Sequence, residues 1–207
     1  IRGRAQHHRA VRIHHEGLAI EHEFVLAAEQ IAVHHRQADI AHALALQCRF
    51  AGHCRQPYSV AEHSVRVSFV AEKAYRGYHE HTRNGEAVIR TYTLAALLHD
   101  ASEAYCVDVP RPLKPYLTGY KDIERLVTDA VERWANLPAG ACEEWNIKHA
   151  DEVLLATEAR DLMCAPPASW DLRVDPLQEI IEPWGWERAE REFLARFEAL
   201  RTVPDAR

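Results

Sequence analysis

TLAALLHDASEAYC, residues 93–106, is an apolar run with a histidine and an aspartate in its middle. It is too long for an ordinary strand and does not alternate, so it predicts a helix from Thr93 to about Cys106. Burying Asp100 beside His99 in such a setting is costly unless both find strong partners. The pattern recurs on two further helical stretches. His63 precedes Val67 by four residues and Val70 by seven, so it points inward with them. Asp151 falls between Ile147 and the Leu154-Leu155 pair, again on the inward face. A single inward histidine is usually a hydrogen-bonded core residue, and one His-Asp pair can be a structural hydrogen bond. Four such residues on three helices ask for more, and a divalent cation answers all of them at once. Imidazole nitrogen with carboxylate oxygen suits Mn, Fe, Co or Zn better than Ca. Two neutral histidines and two carboxylates balance a 2+ charge and leave positions open for water and substrate.

Outward from this stretch the chain reads as helix and loop. Leu18 to Val33 has helical composition, while the opening residues show no period. Asp39 suits the N-cap of a helix through Ala41, Leu44 and Ala45. Cys48 to Pro57 reads as a loop. Ser59 caps the next helix, with Glu62 as its capping-box partner, and that helix runs to about Ala74. Tyr78 to Gly85 is turn-like, and Pro110, Pro112 and Pro115 mark a non-helical loop. Asp122–Leu137 is amphipathic, Ile147–Met163 is helical up to Pro166 and Pro167, and a tryptophan-bearing loop leads to a last helix at about Glu187–Arg201. No alternating run or internal repeat stands out. The expectation is an all-α single domain of six or seven helices over residues 39–207, preceded by an N-terminal segment, 1–38.

Composition narrows the function. The 207 residues suit one domain, and 47% of them are hydrophobic, enough for a sizeable core. A net charge of −6 without a Lys/Arg run disfavours a long nucleic acid as partner but permits a small phosphorylated metabolite in a local basic pocket. Five cysteines, an odd number with no CxxC pair, argue for free thiols in a reducing cytoplasm. No apolar stretch approaches the ~20 residues that span a bilayer, and no apolar signal region opens the chain. Of fourteen histidines, six form three adjacent pairs before residue 36. Adjacent residues do not share a helix face, so these pairs read as solvated surface.

Several motifs together resemble a known family: YSVAEHS around His63, LLHDASEAY around His99-Asp100, DVPRPLK from Asp108, IKHAD ending at Asp151, CRFAGH from Cys48 and ATEARDLM from Ala156. Over residues 39–200 the sequence is similar to the HD-domain metal-dependent phosphohydrolases, specifically the branch containing bacterial 5′-deoxynucleotidases. The resemblance implies one divalent metal ion (Mn, Co, Zn, Fe or Mg) held by His63, His99, Asp100 and Asp151. It implies catalytic roles for Glu103, in proton handling or water positioning, and for Asp108, near the leaving oxygen and sugar. Arg49 matches an arginine that reaches substrate phosphate or sugar, Phe50, where some relatives carry Trp, is a candidate substrate contact at the sugar or base, and Lys114 is a candidate phosphate contact. Arg49 can also be read as pairing with Asp161 or another acid. Glu158, Arg160 and Asp161 read as a structural ion network, and His42, His53 and His149 have no assigned role. Residues 1–38 do not match the branch.

The implied activity is hydrolysis of nucleoside, in particular deoxynucleoside, 5′-monophosphates to nucleoside and phosphate by a water activated at the ion. A deoxynucleoside triphosphate triphosphohydrolase on the same site is the nearest alternative, with Arg111 and Lys121 as extra cations. A di-iron oxygenase would need further ligands between the HD pair and the last aspartate, where no histidine occurs before His149. A non-catalytic nucleotide-binding module would keep the fold while losing ligands or Glu103, and all are present. A homodimer accords with the resemblance.

Overall fold

The computed structural model describes residues 37–165 and 170–201. The helical reading of Leu18–Val33, the paired histidines and the Pro166-Pro167 stop lie outside them. Among the described residues the chain is all helical: seven α-helices, six of ten residues or more, joined by loops and three 3-10 turns. They are α1 (Gln37–Leu46), α2 (Val60–His79), α3 (Gly85–Leu98), α4 (Glu103–Cys106), α5 (Tyr120–Trp134), α6 (Trp145–Leu162) and α7 (Trp186–Arg201).

Helix α2 is central, packed against α1, α3, α6 and α7. Its buried face carries Val60, Ala61, Val65, Val67 and Ala71, and small residues let the neighbouring backbones approach. Its N-cap is Ser59, whose Oγ accepts from the Glu62 amide at 3.1 Å. The Glu62 side chain does not close a capping box. One carboxylate oxygen pairs with Arg66 at 2.8 Å and the other accepts from the Trp184 amide at 2.7 Å, because full burial demands charged or amide partners. Helix α7 presents Ala189, Phe193 and Phe197 at four-residue intervals, all fully buried. Trp134 of α5 stacks on Phe197 at 5.5 Å. Asp39 lies inside α1 rather than at its cap, and α2 runs on to His79, past the expected end at Ala74.

The decisive difference lies at residues 93–106. The long helix expected there is two pieces. Helix α3 starts earlier, at Gly85, and stops at Leu98; α4 begins at Glu103. Between them the bonds tighten to three-residue spacing, Ala101 N–H to Leu98 O and Glu103 N–H to Asp100 O. Apolar periodicity cannot register such a change of winding, and His99 and Asp100 lie at this break.

Two strained segments flank the same region. Residues 47–60 are clipped into a loop by Arg49 N–H to Tyr58 O (2.8 Å) and Val60 N–H to Gln47 O (3.0 Å). At its tip Phe50 and Ala51 have φ of 57° and 50°. Val107, β-branched, has φ 60° just before Asp108. Each costs on the order of 1–3 kcal/mol, a cost met where surrounding structure over-determines the backbone.

Candidate metal centre and cavity

Helix α2 supplies His63, the α3–α4 break supplies His99 and Asp100, and α6 supplies Asp151. One ligand atom each from His63, His99 and Asp100 lies within 4.8 Å of the others. Asp151 joins through Oδ1, 3.1 Å from His63 Nε2. His63 Nε2 is also 3.6 Å from Asp100 Oδ2, and His99 Nε2 is 3.2 Å from the same oxygen.

The tautomers follow from the opposite side of each ring. His63 Nδ1 contacts Glu158 Oε1 at 2.6 Å, and His99 Nδ1 contacts the Ala96 carbonyl at 2.8 Å. A carboxylate and a carbonyl only accept, so each Nδ1 carries the hydrogen. Each ring then turns Nε2 toward the carboxylates, where the neutral form would offer a cation its lone pair. Both Nε2 atoms are buried and have no partner in hydrogen-bonding geometry, an arrangement that orphans two polar atoms at one point. A cation there satisfies them, and this donor set suits Mn, Fe, Co or Zn. Burial and Arg49 oppose charge on His63, but Glu158 and Asp151 outweigh them and push the ring up to about 10, so with no cation at this point the carboxylates draw a proton onto Nε2, and a divalent ion would displace it. Burial likewise opposes ionisation of Asp100, yet His99, His63 and Arg49 hold it well below the usual carboxylate range.

Above this cluster opens a cavity of about 790 Å³ lined by Arg49, Phe50, Asp100, Glu103, Asp108, Lys114 and Asp151 among others. A smaller one of about 220 Å³ adjoins it at His99, Asp100 and Asp151. The nine residues singled out in the sequence therefore either line these cavities or, for His63, lie buried at the metal cluster.

Arg49 is nearly buried and reaches Asp100 Oδ2 at 3.3 Å and Glu158 Oε2 at 3.4 Å, not Asp161. Glu103 is buried with Oε2 unpartnered, and burial followed by Asp100 and Asp108 pushes its carboxyl up to about 9. Asp108 is raised by burial as well. Lys114 Nζ sits 2.7 Å from Glu124 and 3.9 Å from Glu103.

Two contributors were missed in the sequence. Glu158, fully buried, orients His63 and neutralises Arg49, whereas Arg160 and Asp161 do form a structural clip that fastens residues 177–181 to α6. The available signal was register: Glu158 follows Asp151 by seven residues, on the same face. Gln47 receives the Asp108 amide at 3.2 Å and donates to the Glu103 carbonyl at 3.0 Å, tying both acids' backbones together. No sequence signal marked it. His42 pairs with Glu190 at 2.9 Å and His149 stacks on Trp145, so neither joins the site.

No protein-family model matches the chain. It is 37% identical over 132 residues to the uncharacterized protein YfdR of Escherichia coli (strain K12), covering 64% of each chain. It is 37% identical over 129 residues to an uncharacterized protein of Rhodobacter capsulatus, covering 60% of this chain and 61% of that one. It is 30% identical over 116 residues to the 5′-deoxynucleotidase yfbR of Photorhabdus temperata, covering 52% and 57%. The chain thus spans less than two thirds of each of these relatives' lengths. No helix among the described residues is long and apolar enough to cross a membrane.

Proposed function

We propose that the protein is a divalent-metal-dependent phosphomonoester hydrolase acting on nucleoside, in particular deoxynucleoside, 5′-monophosphates, of the HD-domain type. The observation that carries this reading is the pair of buried, unpartnered Nε2 atoms converging with Asp100 and Asp151 beneath a cavity that also holds an arginine, a lysine and a buried glutamate. Similarity to a 5′-deoxynucleotidase supports the substrate class.

His63, His99, Asp100 and Asp151 would hold the ion, with Glu158 fixing the His63 ring. A bound divalent ion supplies Lewis acidity and lowers the pKa of coordinated water. The chain's residues supply the rest. Arg49 and Lys114 offset charge on the phosphoryl oxygens as it develops. Glu103, protonated at neutral pH through burial beside Asp100 and Asp108, donates its proton to the 5′-oxygen as the P–O bond breaks. Water's oxygen ends on phosphorus with one of its protons, the other proton returns to Glu103, and the products are nucleoside and orthophosphate. Asp108, held by Gln47, faces the sugar side of the cavity.

Phosphorus NMR of the manganese- or cobalt-loaded protein with nucleoside mono- and triphosphates tests this. The expected result is orthophosphate from the monophosphates. Inorganic triphosphate from deoxynucleoside triphosphates would move the reaction to the α-phosphorus instead. Asp100→Ala is expected to abolish both metal binding and turnover; full activity with metal retained would refute the ligand assignment.

A further inference from the structure

The large cavity is lined by the charged Asp100, Glu103, Lys114 and Asp151 and also by apolar side chains. Part of the apolar lining comes from segments distant in sequence. Phe50, on the loop between α1 and α2, meets Trp170, on the connection between α6 and α7, with ring centroids 6.2 Å apart and planes tilted by 37°. Met163 and Leu172 add to this lining. Trp170 is 42% exposed and Phe50 is half-buried, so neither ring serves as core. At 6.2 Å nothing fits between the two rings, and both residues line the cavity. The Arg49 guanidinium lies 5.4 Å from the Phe50 centroid and 3.3 Å from Asp100, so it links the aromatic pair to the acidic cluster. Phe50 is held there by a left-handed backbone that an aromatic residue rarely adopts.

We propose that Trp170 adds to the substrate contact expected of Phe50 a stacking surface for the planar heteroaromatic base, and that Trp170 is a specificity-determining residue. The proposal rests on the phosphomonoesterase reading for the charged lining of the cavity. Stacking on such a surface engages the π-face of any base, so it selects a nucleotide over a bare sugar phosphate.

The test compares a deoxynucleoside 5′-monophosphate with 2-deoxyribose 5-phosphate, using the full chain loaded with manganese. Both KM and calorimetric Kd are measured for wild type and Trp170→Ala. The expected result is that Trp170→Ala raises KM and Kd for the nucleotide by about tenfold or more, the range of a lost base–aromatic stack, while the sugar phosphate changes less than about twofold. Trp170→Phe should restore most of the nucleotide affinity. Equal weakening for both ligands would make Trp170 a scaffold of the loop and overturn the proposal, as would unchanged nucleotide affinity or a wild type that binds no nucleotide. If the wild type binds the nucleotide through Trp170 but turns over neither substrate, the stacking surface stands and the hydrolase reading fails.

Discussion

The 2.6 Å contact between His63 Nδ1 and Glu158 Oε1 determines what the ring can offer on its other side. A buried carboxylate behind a histidine fixes the tautomer and raises the basicity of the opposite nitrogen, and losing such a partner typically weakens metal binding 10–100-fold. Glu158→Gln keeps the volume and a hydrogen-bonding group but removes the charge. It is expected to lower manganese affinity by about that factor, measured by calorimetry, with the circular dichroism spectrum unchanged; unaltered affinity would detach Glu158 from the centre. Glu158→Ala should be worse for stability, because it removes one of the two carboxylates facing the buried Arg49 guanidinium and leaves a void behind the His63 ring. At this scale His63, His99, Asp100 and Asp151 were legible because each is a charged or polar residue at an inward register position. Glu158 obeys the same register, but its partner is 95 residues away, so only the fold reveals what it does.

Helix ends decide the next scale. Gly85 opens α3, and a Cβ there would lie 1.7 Å from the His79 carbonyl oxygen. Gly77, exposed within α2, has nothing within 4 Å of an added Cβ. Gly85→Ala is therefore expected to destabilise by about 2 kcal/mol or more through overpacking, while Gly77→Ala stabilises by up to about 1 kcal/mol from helix propensity. Thermal denaturation should move in opposite directions for the two variants. Helices α2 and α7 are joined by Glu72, which contacts Arg196 and, within α2, Arg76. Burial raises the Glu72 carboxyl, but the two guanidiniums outweigh it and hold it below 4.5. A lowered folded-state value means the contribution is complete above pH 4.5 and is lost as pH falls below it. Glu72→Gln should thus cost more stability at pH 7 than at pH 3, compared by urea midpoints; an equal loss at both would dismiss the charge effect. Most helices could be read from periodicity and caps. The split of 93–106 could not, since tightening to three-residue bonds leaves the apolar pattern intact. The left-handed turn at Phe50-Ala51 was equally hidden, because neither residue favours that backbone.

Across the whole molecule, the proposed centre draws ligands from α2, the α3–α4 break and α6, so a cation there would cross-link three parts of the core. Any ligand that binds only the folded chain raises stability with its concentration, by about 2.7 kcal/mol at a hundredfold excess over Kd. Cobalt or manganese is expected to raise Tm and a chelator to lower it, with the effect absent in Asp100→Ala. The most direct test of the central claim is equilibrium dialysis against cobalt, with metal per chain and the visible Co(II) spectrum recorded for wild type, His63→Ala and Asp100→Ala. One cobalt per wild-type chain, with a d–d band that both substitutions abolish, is the predicted result. Equal cobalt in all three, or none in folded wild type, would contradict a metal centre at His63, His99, Asp100 and Asp151.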